Sequence, residues 1–196
     1  MSCKYRRSSN NSVVIPSLLM TALAFTAIAT LADQNDPRLP MLFDTLEQAQ
    51  NPGVAARTEQ EIWRIWHTSP TDNALNIMTE ARRALDIGDF KTSVKKLNEL
   101  VQKYPEYAEA WNQRAIVLYV IEDFEGSLRD VNRAIALEPR HFGAYSGMGQ
   151  CYIRLDQPER ALEAFQAALE IHPWLSNVKQ QMDMLRAYVN SRNTPI

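Results

Sequence analysis

The strongest constraint on the fold of this chain is an internal repeat of 34 residues. Three prolines recur at that interval, namely Pro105, Pro139 and Pro173. When the blocks 74–107, 108–141 and 142–175 are aligned on these prolines, small or apolar residues fall at the same places in each block. A period of this length is typical of stacked supersecondary units, so each block is one copy of the same unit.

Each block predicts two antiparallel helices. Apolar or small residues occupy the fourth, eighth and eleventh places and then the twentieth, twenty-fourth and twenty-seventh, which are two runs with helical spacing. A turn signal separates the two runs in each block: Gly88-Asp89, Glu122-Asp123 and Asp156-Gln157-Pro158. The eighth place holds only small residues, which allow two helices to cross closely, and the proline ends the second helix.

This pattern resembles the tetratricopeptide repeat (TPR), whose signature is W-x2-L-G-x2-Y, A-x3-F and P. The second and third blocks carry most of the signature residues: Trp111, Ala115 and Pro139, then Tyr145, Gly149, Tyr152, Ala161, Phe165 and Pro173. The first block departs from it, with Glu80 where leucine is usual and Ala84 in place of tyrosine. The resemblance covers just over half of the chain. It implies an all-α, right-handed solenoid that binds proteins or peptides and performs no catalysis.

The residues on either side of the repeats are also predicted to be helical. Residues 33–73 contain two amphipathic stretches, which we interpret as a degenerate leading hairpin, because the terminal repeats of such arrays are atypical. Within it, Trp63 and Trp66 either anchor a partner or seal the apolar end of the first block. The second interpretation is favoured because aromatic residues dominate core packing. Residues 176–190 predict a capping helix, and 191–196 predict a frayed polar tail.

Residues 1–32 have the three parts of an export signal. Lys4, Arg6 and Arg7 precede an uncharged apolar run over 13–31, and the small residues at the end of the run suit a signal peptidase. The run is also just long enough to span a bilayer, so the segment is either a cleaved signal peptide or a retained N-terminal membrane anchor. In both cases the repeats are expected outside the cytoplasm, in the periplasm or anchored in the inner membrane facing the periplasm. The chain thus resembles the small exported TPR proteins of Gram-negative bacteria.

Composition and motifs argue against several functional classes. The net charge is −2 without a basic stripe, which disfavours a nucleic-acid partner. The three histidines are far apart, and neither His-x3-His nor Cys-x2-Cys occurs, so no metal site is predicted. The cluster of Gly143, Gly147 and Gly149 lacks the lysine of a phosphate-binding loop. We therefore predict no catalytic residues and no cofactor, and we interpret Cys151 as a small apolar residue of a repeat helix.

Stacked helix pairs form a concave groove that is lined by the first helix of each repeat. The places that face it hold the residues that we predict to bind a peptide: Met78, Arg82, Asn112, Gln113, Ile116, Tyr119, Gln150, Ile153 and Arg154. The apolar members would hold side chains, the amides would pair with a peptide backbone, and the arginines would bind carboxylates. Alternatively, several of these residues pack between adjacent repeats.

The partner is expected to be a protein or peptide segment, with the chain acting as a scaffold or an assembly factor for an envelope complex. The TPR domains that hold acidic chaperone tails use lysine, asparagine and arginine in the groove. This chain has Met78, Arg82, Gln113, Gly143 and Gly147 at the matching positions, so a chaperone-tail partner is disfavoured.

Two other functions stay open at the level of the sequence. One is self-association into a homo-oligomer through the ends of the array, where Trp63, Trp66 and Trp174 stand. The other is a small-ligand carrier or an enzyme that uses the groove, which is disfavoured because no set of catalytic residues converges there.

Overall fold

The computed structural model describes residues 33–193, and every regular element in this range is a helix. The nine helices of this range are α1 Leu39–Glu47, α2 Pro52–Trp66, α3 Asp72–Asp86, α4 Phe90–Lys103, α5 Ala108–Val120, α6 Phe124–Leu137, α7 Phe142–Arg154, α8 Pro158–Ile171 and α9 Ser176–Asn193. Helices α3 and α4, α5 and α6, and α7 and α8 form pairs, and successive pairs stack on one another. The prediction of an all-α stack of helix pairs is confirmed.

The turn inside each pair uses the same backbone conformation at the same place. Gly88, Glu122 and Asp156, which are 34 residues apart, have φ angles of 76°, 66° and 51°. This left-handed conformation ends the first helix, and it suits glycine best because a Cβ atom crowds the carbonyl oxygen. Asp89 and Asp123 then cap the following helix, since their side chains accept hydrogen bonds from backbone amides of its first turn. The turn signals in the sequence therefore mark real helix ends.

The small residues at the eighth place lie where the two helices of a pair touch. In the second pair, the hydroxyl of Ser127 donates a hydrogen bond to the Ala115 carbonyl at 2.8 Å, and an equivalent bond of 2.9 Å occurs in the first pair. In the third pair, the ring of Phe165 fills this contact, and a Cβ added to Gly149 would lie 2.6 Å from its Cδ1 atom. A larger residue at the eighth place would force the helices apart, because the interior is close-packed.

The leading hairpin of α1 and α2 does not form the front layer of the stack. Its buried face packs against the third pair and the segment that follows it, through Phe142, Ile171, Trp174 and Leu175. Residues 33–73 form the predicted hairpin, since α1 and α2 pack on each other, but the hairpin does not stack ahead of the first pair as a repeat would. Helix α1 has 9 residues, whereas the first helices of the three pairs have 13 to 15, so α1 is too short to extend the stack by a layer.

The tryptophans that suggested self-association have partners within the chain. Trp66 is 1% exposed, and the half-buried Trp63 and Trp174 belong to the same apolar cluster instead of standing at opposite ends. The rings of Trp63 and Trp66 lie 5.3 and 5.1 Å from that of Phe142, measured between centroids. The two tryptophans therefore cover an apolar surface of the third pair and not the end of the first pair, because α2 packs against α7.

Helix α9 follows the third pair and buries Val178 and Met182 against it. It extends to Asn193. The prediction of a frayed tail is therefore wrong for residues 191–193, which are helical. The predicted leader over 1–32 lies outside the described residues, as do 194–196. Within the described part of the chain, no helix combines the length and the apolar character that crossing a membrane requires.

Candidate peptide-binding groove

One face of the stack carries a series of exposed apolar side chains. Ile116 of α5, Ile153 of α7 and Met184 of α9 are 41%, 37% and 59% exposed. Gln150 and Gln181 are hydrogen-bonded to each other and join α7 to α9 on this face. We call this surface the groove, and its remaining members are Tyr119 and Tyr188. Rows of exposed apolar residues of this kind mark sites of interaction.

A cavity of about 180 Å³ opens in the groove between α5, α6 and α7. Its walls are almost entirely apolar, with Ala115, Ile116 and Val131 on one side and Gly143 and Gly147 on the other. The space exists because α7 has no side chain at these two positions, which are one helical turn apart. We call it the glycine cavity.

Helix α2 closes the end of the groove beside this cavity. The indole of Trp63 lies directly against Gly143, where an added Cβ would come within 2.5 Å of the Trp63 Cη2 atom. The same indole packs edge-on against the ring of Phe142. A second cavity of about 280 Å³ separates α2 from α5 and the start of α9, with Glu59 and Asn112 in its wall. Part of the groove is therefore occupied by the chain itself.

A buried carboxylate fastens α2 to the stack. Glu109, at the start of α5, is 1% exposed; one of its oxygens lies 3.0 Å from Nε2 of His141 and accepts a bond of 2.9 Å from Asn112. Its other oxygen lies 3.2 Å from Nε2 of His67, which follows α2, and accepts a bond of 2.6 Å from Gln113. Burial by itself would raise the pKa of Glu109, but the bonds from His141 and His67 outweigh burial and lower the pKa to about 2. Glu109 is therefore ionised although it is buried.

His141 connects this carboxylate to α7 and to α2. Its Nδ1 accepts a hydrogen bond of 3.1 Å from the Ala144 amide and so caps α7, which leaves Nε2 to donate its proton to Glu109. The imidazole is fully buried and stacks on Trp66, with the centroids 4.2 Å apart. The hydroxyl of Tyr107 donates to the Trp66 carbonyl at 2.9 Å, and burial raises the pKa of Tyr107. The end of α2 is thus held by both side-chain and backbone contacts.

Three residues spaced four apart, two in α2 and one directly after it, contact α8, α7 and α5. Glu59 lies 3.1 Å from Nε2 of His172 at the end of α8, and this close approach of His172 lowers the pKa of that carboxyl. Trp63 packs against Gly143 at the start of α7, and His67 pairs with Glu109 at the start of α5. Sequence reasoning missed this arrangement, because the partners are more than 30 residues apart and follow no shared period.

Two of the residues predicted to line the groove are buried. Met78 is 4% exposed and lies in the core between the first and second pairs, with Ala110 and Val117 of α5 in the same cluster. Asn112 is 4% exposed and donates to Glu109. This corrects the prediction that Met78 faces the groove, and it follows the alternative in which part of the set packs between repeats. Asn112, although little exposed, lines the glycine cavity of the groove.

The other uncharged residues of the predicted set are placed differently. Ile116, Tyr119 and Ile153 lie in the groove. The amides Gln113 and Gln150 are half-buried, and each already has a hydrogen-bond partner within the chain. Either amide would have to exchange that partner in order to bind a peptide backbone.

The two predicted arginines are not equivalent. Arg154 forms an ion pair of 2.7 Å with Glu122, and its guanidinium lies over the ring of Phe124, 4.5 Å from the centroid. It is therefore engaged at the rim of the groove and is not a free group for a carboxylate. Arg82 is exposed on α3.

Sequence reasoning missed the contribution of α9 to the groove. Gln181, Met184 and Tyr188 stand at the sixth, ninth and thirteenth places of a fourth block that begins at Ser176. These places face the groove in the complete repeats, so extending the repeat count would have found them. Helix α9 both caps the stack and forms a wall of the groove.

The described residues contain little that suggests reaction chemistry. Over 33–193, no three side chains of His, Cys, Asp or Glu are grouped so that they could hold a metal ion. Cys151 is buried 3.2 Å from the Ser127 hydroxyl, and burial raises the pKa of its thiol. A thiol in this state is a packing group and a poor nucleophile.

Comparison with known proteins agrees with the repeat. Two family models of the tetratricopeptide repeat match residues 78–128 and 143–174. A TPR repeat-containing protein of Rhizobium etli is 30% identical over 148 residues, which cover 76% of this chain and 72% of that protein. The similarity therefore extends over most of both sequences.

Solved structures show the same fold. The crystal structure of MamA matches with a TM-score of 0.58 at 19% identity, over 82% of this chain and 86% of MamA. The first TPR of Spaghetti (RPAP3), solved with the HSP90 peptide SRMEEVD, matches with a TM-score of 0.58 at 19% identity, over 60% of this chain and 93% of that domain. These likenesses support the architecture, and the Rhizobium relative supports descent from a common ancestor. The chain belongs to the tetratricopeptide-repeat family.

Proposed function

We propose that this protein binds a segment of another protein in the groove and performs no chemistry on it. The observation that carries the proposal is the exposed apolar row from Ile116 through Ile153 to Met184, next to an open apolar cavity. TPR stacks serve in general as scaffolds for protein binding. The stacked pairs hold the groove in one shape before binding, so that the partner and not the scaffold loses most of the conformational entropy.

The bound segment is expected to be apolar or uncharged where it contacts the groove. The RPAP3 domain was solved with a peptide, SRMEEVD, that is rich in acidic residues. In this chain Arg154 is already paired with Glu122, and the rest of the groove consists of apolar, tyrosine and amide side chains. A carboxylate that leaves water needs a cationic partner, so this groove is better suited to a neutral segment than to an acidic tail.

Binding in the groove can be tested with peptides selected from a random displayed library on the full chain. Bound peptides should lose affinity at least about tenfold for the double variant Ile116→Asp, Ile153→Asp, because a charge enters an apolar contact. The matched control is Met41→Asp, Ile87→Asp, which changes two apolar residues outside the groove that are 65% and 82% exposed. Equal losses in the two variants, or no loss in either, contradict binding in the groove.

The same proposal includes export from the cytoplasm, where the protein would act as a scaffold or assembly factor for an envelope complex. It is based on residues 1–32, with their basic start and uncharged apolar run. Fusing these residues to alkaline phosphatase, which becomes active only after export, should produce an active reporter in a Gram-negative host. An inactive fusion, alongside an active control with an authentic signal peptide, contradicts this part of the proposal.

A further inference from the structure

Helix α7 has two neighbouring places where its backbone is bare, at Gly143 and at Gly147. The first is covered by Trp63, and the second borders the glycine cavity. Gly143 and Gly147 stand one turn apart on one side of the helix. The ring of Trp63 covers Gly143. No side chain covers Gly147 in the same way. Outside the backbone of α7, the atom nearest to a Cβ added there would be Val131 Cγ2, at 4.0 Å. The first glycine shows that the helix backbone accepts a flat apolar group directly against it.

The size of the cavity matches one side chain. Its volume is about 180 Å³. An apolar protein cavity of about 150 Å³ is large enough to bind benzene. A leucine or phenylalanine side chain therefore fits, whereas an alanine would leave most of the space empty. Filling it would bury apolar surface of the exposed Ile116 and the half-buried Tyr119, which favours binding through the hydrophobic effect.

The polar groups around the cavity already have hydrogen-bond partners and offer no ionic partner to a charged ligand. Asn112 is bonded to Glu109, and Gln150 is bonded to Gln181. The hydroxyl of Ser127 donates to the Ala115 carbonyl. A charged side chain entering the cavity would lose its hydration without gaining an ionic partner, which is strongly unfavourable.

We propose that the glycine cavity is the specificity pocket of the groove, and that it takes one uncharged side chain of leucine or phenylalanine size from the bound segment. This inference rests on the proposed function, because it names the residue type that the groove selects. The glycine cavity adjoins the second cavity, which lies beside α2, since Gly143, Asn112 and Ile116 line both. A bound segment would therefore continue the surface of α2 along the groove.

The test uses the full chain with Val131 and Ile116 methyl groups observed by NMR. The probes are N-acetyl-leucinamide and N-acetyl-phenylalaninamide, with the alanine and aspartate analogues as controls. We expect saturable shifts of both methyl signals with the first two probes and none with the controls. The variant Gly147→Leu should bind these probes at least about tenfold more weakly, because the new side chain fills the cavity. Ala136→Leu adds the same side chain at an exposed site on α6 and should bind as the wild type does.

A smaller change, Gly147→Ala, guards against the possibility that Gly147→Leu loses binding because it misfolds. Its Cβ would be at ordinary contact distance from Val131, so the fold should be retained while the cavity becomes smaller. A graded loss of probe binding from wild type to alanine to leucine supports the pocket. Absence of saturable shifts in the wild type, or equal binding to Gly147→Leu, overturns it.

Library peptides separate this inference from the proposed function. Peptides that bind the groove should contain a leucine or phenylalanine whose replacement by alanine weakens binding about as much as Gly147→Leu does. If peptides bind the groove and Gly147→Leu leaves their affinity unchanged, the pocket is wrong and the proposed function stands. If the small probes bind at Val131 and no peptide binds the groove, the proposed function fails and only the cavity's preference for apolar groups survives.

Discussion

Replacing Glu109 with alanine is expected to destabilise the protein more than any other single change of a charged residue in its described part. The carboxylate is 1% exposed and lies within 3.2 Å of donors from two histidines, His141 and His67. His141 is itself fully buried, so after the substitution its Nε2 proton would face the interior without an acceptor. Asn112, 4% exposed, would lose its acceptor as well.

The expected loss can be worked out in two ways. Removing one partner from a buried, hydrogen-bonded charged set costs about 3–5 kcal/mol in the free energy of unfolding. Independently, the pKa of Glu109 is lowered from 4.5 to about 2 in the folded state. At about 1.4 kcal/mol for each pKa unit, ionised Glu109 stabilises the folded state by ~3 kcal/mol at neutral pH. The two values agree, and either is a large fraction of the ~5–15 kcal/mol that is typical of a folded protein.

The direction of the pH effect follows from the lowered pKa. A carboxyl whose pKa is lower in the folded state stabilises the fold above its unfolded pKa, and this contribution is lost as the pH falls. For Glu109 the loss should occur between about pH 4.5 and pH 2, the interval between its ordinary and its folded pKa. The variant should lack this part of the acid sensitivity.

The assay is urea unfolding followed by circular dichroism and by tryptophan fluorescence, which reports on Trp63 and Trp66 beside His141. The matched control is Glu106→Ala, three positions earlier, where the side chain is 75% exposed and forms an ion pair with Arg133. The control should lose less than ~1 kcal/mol, as exposed ion pairs do. A loss below about 1 kcal/mol for Glu109→Ala, or unchanged acid sensitivity, would refute the role assigned to this carboxylate.

Three further changes test the packing and the turns. Gly149→Ala should destabilise the protein by about 1–3 kcal/mol in thermal unfolding, because the new Cβ would lie 2.6 Å from Phe165; an unchanged melting temperature contradicts the close crossing. Asp156→Gly should stabilise it by about 0.5–1 kcal/mol, because the φ angle of 51° strains aspartate; a loss of stability in urea would count against that strain. Tyr107→Phe should cost about 1 kcal/mol, since the Trp66 carbonyl loses its donor, and it should speed proteolysis between α2 and α3; an unaltered cleavage rate would show that this bond does not hold α2.

The three helix pairs could be predicted from the sequence because their information is local. The 34-residue spacing that places Gly88, Glu122 and Asp156 in equivalent turns is visible without any structure. Small residues at the eighth place indicate a close crossing whether the neighbour is a serine, as at Ser127, or a ring, as at Phe165. Each pair has to bury its own apolar stripes against its neighbours, so the pattern repeats with the structure.

The course of α2 could not be predicted in that way. The amphipathic pattern of α2 shows that it buries one face, but it does not tell which surface covers that face. The choice is made by shape and by paired polar groups: the Trp63 ring fits the bare backbone at Gly143, and His67 and His141 share the Glu109 carboxylate. These contacts join parts of the chain that are tens of residues apart.

The sequence by itself determined the TPR architecture and the row of groove places that includes Ile116 and Ile153, because both depend on a repeated period. Only the tertiary structure decided that Met78 is covered, that α9 adds Met184 to the groove, and that an apolar cavity lies open over Gly147. Periodicity reports which face of a helix is buried, whereas the free space between helices depends on how several distant side chains fill it.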